Sequence, residues 1–365
     1  MKELNQDSIL ALLSDIKDPD LHLSLQEVNA IHSVIINDAA ITIYLELIPP
    51  IHWIAKDIEQ AIKHKIAEYY PGIEINIFVK DKQIPRISNQ HILPTVKHLI
   101  AVSSGKGGVG KSTIAANLAA ALAQRGASVG LLDADIYGPS MPTMFGVTGH
   151  QMEAEKTEDG KLLGYPVEQY GVKIASIGFI MEQNQAAIMR GPMLAGYFTT
   201  LMDQIMWGDL DFLIFDLPPG TGDIQLTLTQ RVPLSGAVIV TTPQEISLAD
   251  VRRSISMFKK VQVDILGVIE NMSYFVPEDM PEKKYHIFGE GGGEKVSKES
   301  DVPFLGQVPL TLGTRSGGDD GYPVVLNPDD FIQGDILRSI TSSIVSALRI
   351  KNHSALQKPL IQITL

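Results

Sequence analysis

Gly105-Lys106-Gly107-Gly108-Val109-Gly110-Lys111-Ser112-Thr113 is the stretch that decides the fold. It meets the spacing G-x-x-x-x-G-K-[ST] through Gly105, Gly110, Lys111 and Ser112. Each residue type has a physical reason. Glycine lets the backbone approach a phosphate and adopt conformations that a Cβ would block. The N–H groups of such a loop converge on the β- and γ-phosphates of a nucleotide at the start of the next helix. Lys111 adds a point charge, and the Ser112 hydroxyl suits Mg²⁺. A flexible glycine-rich loop of no function is the bland alternative. Against it stands the context: the apolar run Leu99–Ser103 reads as a short strand before the loop, and Ser112–Gln124, dense in Ala and Leu, reads as a helix after it.

Outward from the loop the same alternation continues. Ser128–Leu132, Val172–Ile177, Phe212–Phe215, Ala237–Thr241, Ile265–Ile269 and Phe304–Val308 read as further strands, several separated by helical patterns, with a C-terminal helix over 331–349. Repeated β–α–β units predict an α/β fold, a P-loop NTPase with a mostly parallel sheet flanked by helices. Upstream, Ile9–Asp15 reads as a short helix. Val28–Ile36 and Ala40–Ile48 read as strands around Asn37-Asp38, a hairpin signal, and Ile73–Val79 as another strand. Trp53–Tyr69 places Ile54, Ile58, Ile62 and Ile66 on one helical face, and Pro71-Gly72 ends it. The expected organisation is a small α/β domain over 1–80, a linker over 81–97, an ATPase domain over 98–350 and a tail over 351–365.

Two strands end in carboxylates. Val129-Gly130-Leu131-Leu132 runs into Asp133-Ala134-Asp135, and Phe212-Leu213-Ile214-Phe215 into Asp216, followed by Leu217-Pro218-Pro219-Gly220-Thr221-Gly222-Asp223. Ligands of open α/β sheets bind beyond the carboxyl ends of strands. Asp216 is therefore the expected Mg²⁺ carboxylate, acting through water with Ser112 beside it. Asp135 is the candidate for positioning the attacking water, with Asp133 supporting the metal shell. Gly220 offers an N–H for the γ-phosphate, which would make 217–223 a nucleotide-sensing switch. On spacing alone, Asp133 and Asp223 serve equally well as helix caps or turn formers. Asn271, after Leu266–Glu270, is equally a turn former on that basis.

Composition narrows the function classes. The 365 residues carry a formal net charge of −12, which argues against a broad basic face for nucleic acid. A local cradle of N–H groups and one lysine still takes ATP. The polar, acidic start Met1–Asp7 does not read as a signal peptide, and no apolar run approaches the ~18 residues of a membrane span, so a cytoplasmic protein is expected. The chain contains no cysteine, which excludes disulfides and any thiolate-ligated metal within it.

With Lys106 beside Gly105, the loop resembles the deviant Walker A motif of MinD- and ParA-type ATPases. The resemblance implies an ATP-bound homodimer in which Lys106 reaches the partner's phosphates, and an Asn271 that faces the adenine. Without it, Lys106 is an exposed loop cation. Further strings resemble the Mrp/ApbC family of iron–sulfur cluster carrier ATPases: Asp133–Ser140, Met189-Arg190-Gly191-Pro192, Asp216–Asp223, Asn271-Met272-Ser273-Tyr274-Phe275 and His286–Gly293. Together they cover about 98–345, and residues 1–80, through Asp18-Pro19-Asp20-Leu21, are similar to the small iron–sulfur-assembly domain that often precedes such ATPases. The family implies ATP hydrolysis with Mg²⁺, a [4Fe–4S] cluster shared by two subunits on C-x-x-C pairs, and apo iron–sulfur client proteins. Here the two cysteine positions hold Pro277 and Met280, and the proline-rich turn of the first domain reads Ile48-Pro49-Pro50-Ile51. Glu278, Asp279 and His286 are nearby donors, but carboxylate and imidazole alone suit such clusters poorly. Two expectations follow: a carrier of the family type, or a nucleotide-driven dimer switch that has lost cluster binding and acts through partners, among them a cysteine-bearing relative. A binding module with a vestigial site ranks below both.

Overall fold

The computed structural model describes residues 4–37, 40–84, 92–136, 138–180, 201–277, 279–280 and 282–357. The chain divides into two units, residues 1–88 with 345–365, and residues 89–344. In the first, helix α1 (Gln6–Leu13) starts at Asn5, whose side chain accepts the Ser8 N–H in a capping box. Strands β1 (Ile31–Ile36) and β2 (Ala40–Leu47) pair antiparallel, and β3 (Glu74–Asp81) adds parallel to β2. Asn37 shapes the β1–β2 turn by accepting the Ala40 N–H at 2.7 Å, whereas Asp38 lies outside the described residues. Helix α2 (Ala55–Tyr69) buries Ile58, Ile62 and Ile66, with Ile54 ahead of it, on the expected stripe. Each such side chain contributes about 1.5–3 kcal/mol of burial.

In the second unit, eight strands form one sheet in the order β13-β12-β11-β4-β10-β5-β9-β8. They are β4 (Val96–Ser104), β5 (Val129–Asp133), β8 (Val167–Gln169), β9 (Val172–Ser176), β10 (Leu210–Asp216), β11 (Gly236–Thr241), β12 (Ile265–Phe275) and β13 (Phe304–Leu310). Every pair is parallel except β8 with β9. The seven strands read from the sequence are all present. The edge strand β8 and the hairpin of β6 (Ala154–Lys156) with β7 (Leu162–Gly164) are additions, too short to show a period. Chain order runs one way from β4 through β5 to β9 and the other way through β11 to β13, which places a crevice at the carboxyl end of β4.

The helices of this unit are α3 (Lys111–Gln124), α4 (Met141–Met144), α5 (Asp223–Arg231), α6 (Glu245–Lys260), α7 (Gly292–Ser300), α8 (Leu312–Asp319) and α9 (Gln333–Gln357), whose last turns count with the first unit. Helix α3 is buried from Ile114 to Leu122 on all sides, as its Ala and Leu content allows. Helix α9 corrects the expected end at 349, because it continues to Gln357 and buries Arg349. A charged residue there hid the continuation from hydrophobic periodicity. No helix among the described residues is long and apolar enough to cross a membrane.

Candidate functional site

The sequence expects the loop 105–110 to approach its ligand through glycine, and the structure shows what glycine avoids. A Cβ on Gly105 would lie 2.4 Å from Asp250 Cβ and 2.7 Å from the Val251 nitrogen, so the loop enters flush against α6. Gly110 has φ +83° and caps α3, and a Cβ there would fall 2.1 Å from Asn271 Nδ2. Gly107 and Gly108 are exposed at the crest, Val109 is buried, and Lys106 makes no ion pair among the described residues. Ser112 and Thr113 open α3 behind Lys111.

Three of the expected side chains meet. Lys111 Nζ donates to Asp216 Oδ1 at 2.5 Å, and Ser112 Oγ to Asp216 Oδ2 at 2.6 Å. Asp135 Oδ2 is 3.9 Å from the same Lys111 ammonium. Sheet register explains the meeting: Asp216 on β10 lies level with Asp133 on β5 and Val102 on β4. Both carboxylates are wholly buried. Burial pushes Asp216 up, opposed by the charge and hydrogen bond of Lys111. Burial, and then the charge of Asp216 beside it, push Asp133 up to about 7. Asp216 and Asp135 beside one ammonium leave surplus negative charge and hard oxygen donors, a set that fits Mg²⁺ held by one or two protein groups. Among the described residues no cluster of three or more His, Cys, Asp or Glu would hold a metal by itself, so phosphate and water oxygens would complete such a site.

Asp133 does something other than line a metal shell. Its Oδ2 accepts the N–H groups of Ser140 and Met141 and the Ser176 hydroxyl, at 3.0–3.2 Å, and its Oδ1 accepts the Asp135 N–H at 3.2 Å. It thus fastens the loop that carries Asp135. Gly220 has its N–H on the Ser104 carbonyl at 3.0 Å, so a γ-phosphate contact would require that bond to break. Asn271 reaches the loop itself, donating from Nδ2 to the Val109 carbonyl at 2.8 Å. Sequence reading passed over Ser103 and Ser104. Ser104 Oγ donates to the Lys106 carbonyl at 2.9 Å, and Ser103 accepts from the buried Gln225 of α5. Two hydroxyls closing the apolar run Leu99–Val102 were the available signal.

The segment around Pro277 and Met280 is held by backbone bonds. Met280 N–H bonds to the Pro277 carbonyl at 3.2 Å, and Phe275 and Tyr285 exchange two bonds of 2.9 Å that close 275–285 into a loop. His286 lies 3.7 Å from Glu290 and faces Tyr274, and Asp279 is exposed, while Glu278 and the Met189–Pro192 string lie outside the described residues. A proline and a thioether at the two key positions supply no ligand that fits a [4Fe–4S] cluster. Two of the glycines of 289–293 serve packing, Gly292 against the Pro243 carbonyl and Gly293 against the Glu270 side chain, while Gly289 and Gly291 take positive φ.

Comparison with known proteins gives concordant matches. The family model described as "ParA: NUBPL iron-transfer P-loop NTPase" matches residues 95–345. An "Iron-sulfur cluster carrier protein" of Synechocystis is 47% identical over 348 residues, 93% of this chain and 97% of that protein. Among solved structures, a nucleotide-binding protein in complex with ADP from Archaeoglobus fulgidus aligns with a TM-score of 0.56 at 36% identity, over 66% of this chain and 93% of that one. The cell division ATPase MinD of Pyrococcus furiosus, 22% identical with a TM-score of 0.50 over 68% of this chain and 98% of its own, shares the fold.

Proposed function

The chain belongs to the ParA/NUBPL family of iron-transfer P-loop NTPases, and we propose that it is an ATP-hydrolysing iron–sulfur cluster carrier of the Mrp/ApbC type. The observation that carries the ATPase part is the convergence of Lys111, Ser112 and Asp216 within 2.5–2.6 Å at the mouth of the phosphate loop. The backbone N–H groups of 105–113 bind the β- and γ-phosphates. Lys111 exchanges its carboxylate partner for phosphate oxygens and offsets charge as the bridging P–O bond breaks. Ser112 and Asp216 would hold Mg²⁺, which supplies charge neutralisation to the phosphates when bound. Asp135 orients the water whose oxygen forms the new bond to phosphorus. Lys106, unpaired among the described residues, reaches the phosphates of a second copy in a homodimer.

The cluster is cargo, and its ligands do not fit this chain, which holds no cysteine. The reading therefore assigns the thiolates to apo client proteins or to a cysteine-bearing relative acting with this chain in the cytoplasm. The same absence supports the second reading, a dimer switch whose partners bind according to nucleotide state without any cluster.

Two measurements test these readings. Phosphate release by the purified chain should fall about a hundredfold in Lys111→Ala, and equal turnover would refute the assignment of the site. Anaerobic reconstitution, desalting and assay of iron and sulfide then separate the readings. Metal retained only with a cysteine-bearing partner supports the carrier, and no retention under either condition supports the switch.

A further inference from the structure

We infer that Asn271 is a positioning residue for the phosphate loop: its amide fixes the peptide that presents the Gly110 N–H, and through that peptide it strengthens binding of the phosphates. The inference rests on the proposed nucleotide binding by this loop. Asn271 lies on β12, is 6% exposed, and donates from Nδ2 to the Val109 carbonyl at 2.8 Å. In a planar trans peptide the C=O and the following N–H point in opposite directions. Holding the Val109 carbonyl on Asn271 therefore turns the Gly110 N–H away from Asn271.

That bond matters because the peptide is otherwise easy to turn. Gly108 and Gly110 flank Val109 with φ of +79° and +83°, and glycine crosses backbone regions at little cost. Contact is close enough for the amide to act as a wall, since a Cβ on Gly110 would stand 2.1 Å from Nδ2. The wall itself is anchored. The preceding Glu270, wholly buried, accepts the Gly293 N–H of α7 at 2.5 Å and the Gln307 amide of β13 at 2.9 Å. Immediately after Asn271 the backbone bends at Met272, with φ +54°. On the other side of the loop, Ser104 Oγ holds the Lys106 carbonyl in the same manner. One side chain within β12 and one at the end of β4 thus set the orientation of two loop peptides.

The experiment compares affinities of the full chain and its Asn271→Ala variant for ATP, GTP and inorganic tripolyphosphate by calorimetry, with melting temperature as the folding control. The variant should bind all three more weakly, tripolyphosphate by about three- to tenfold. Asn271→Leu keeps the shape of the amide without its hydrogen bond and provides the same comparison if the alanine variant does not fold. A loss confined to ATP, with tripolyphosphate binding intact, would overturn the inference and make Asn271 a base reader; so would undiminished affinity for all three. Failure of the unmodified chain to bind any of them would instead overturn the nucleotide reading on which the inference rests.

Discussion

Replacing Arg349 with methionine should destabilise the first unit by about 3–5 kcal/mol at neutral pH, the cost of stranding a buried charge. The guanidinium is wholly buried and donates to Asp18 Oδ1 at 3.0 Å, to Asp18 Oδ2 at 2.6 Å, to Asp20, and from Nε to the Ile48 carbonyl at 3.0 Å. Methionine keeps much of the volume, so the loss is one of charge and donors. Asp18 would retain only the Asp20 and Leu21 N–H groups on Oδ1. The pH dependence has a definite sign. In the intact protein burial pushes Asp18 up, but the Arg349 hydrogen bond and charge, with the Leu21 and Asp20 N–H groups, outweigh it and hold the carboxyl below its usual range. Such a group contributes stability that is present above the unfolded value of about 3.9 and lost as pH falls through the folded one. In the variant burial dominates, the carboxyl rises above its unfolded value, and acid restores part of the loss. The gap between parent and variant should therefore narrow from neutral pH toward about pH 4. Urea denaturation read by fluorescence measures it. The chain has two tryptophans, Trp53 in the first unit and Trp207 in the second, and a Trp207→Phe background leaves only Trp53 to report. A variant within about 1 kcal/mol of its parent, the size of a surface effect, or a gap that widens in acid, would refute the reasoning.

Gly105→Ala would drive a methyl to 2.4 Å from Asp250 Cβ, forcing α6 and the loop apart; a loss of about 1–3 kcal/mol should accompany weakened ATP binding, and calorimetric affinity equal to the parent's would count against the close approach. Asp133, pushed up to about 7, binds a proton in the folded state that the unfolded chain releases above about pH 4. Its contribution is therefore greatest below that value and lost as pH rises toward 7. Asp133→Asn should flatten this part of the stability curve, read by Trp207 in a Trp53→Phe background, and an unchanged slope between pH 4 and 7 would argue against the shifted carboxyl.

The phosphate loop was legible because its requirements are local: glycine where backbone nears backbone, lysine and serine at the start of a helix, an apolar strand before it. Asp216 was legible for a related reason, as the acidic end of a wholly apolar strand. The partners that hold these groups in place were not. Asp250 meets Gly105 from a helix about 145 residues away in sequence, and Asn271 meets Val109 across 162 positions. Sheet order and register bring them together, and no spacing rule encodes either. Asp133 illustrates the limit of position as a guide. It stands level with Asp216, yet its oxygens are taken up by Ser140, Met141, Ser176 and Asp135. The continuation of α9 was hidden because Arg349 breaks the apolar stripe, although its charge is neutralised by Asp18.

The loop at 275–285 separates two things that a motif usually carries together, shape and donor atoms. Its shape comes from backbone bonds, the Met280-to-Pro277 turn and the Phe275–Tyr285 pair, with Lys284 resting 4.4 Å from the centre of the Tyr274 ring. None of these contacts uses a thiol, so Pro277 and Met280 form the turn without one. The phosphate site is different in kind. There the side chains of Lys111, Ser112 and Asp216 are themselves the charges and the donors, and their substitution would remove both at once. This chain brings a lysine, a hydroxyl and a carboxylate together at its phosphate loop and has no cysteine anywhere, so it carries donors for a nucleotide and none for a thiolate-held cluster. Thiolates for a cluster would have to come from another chain.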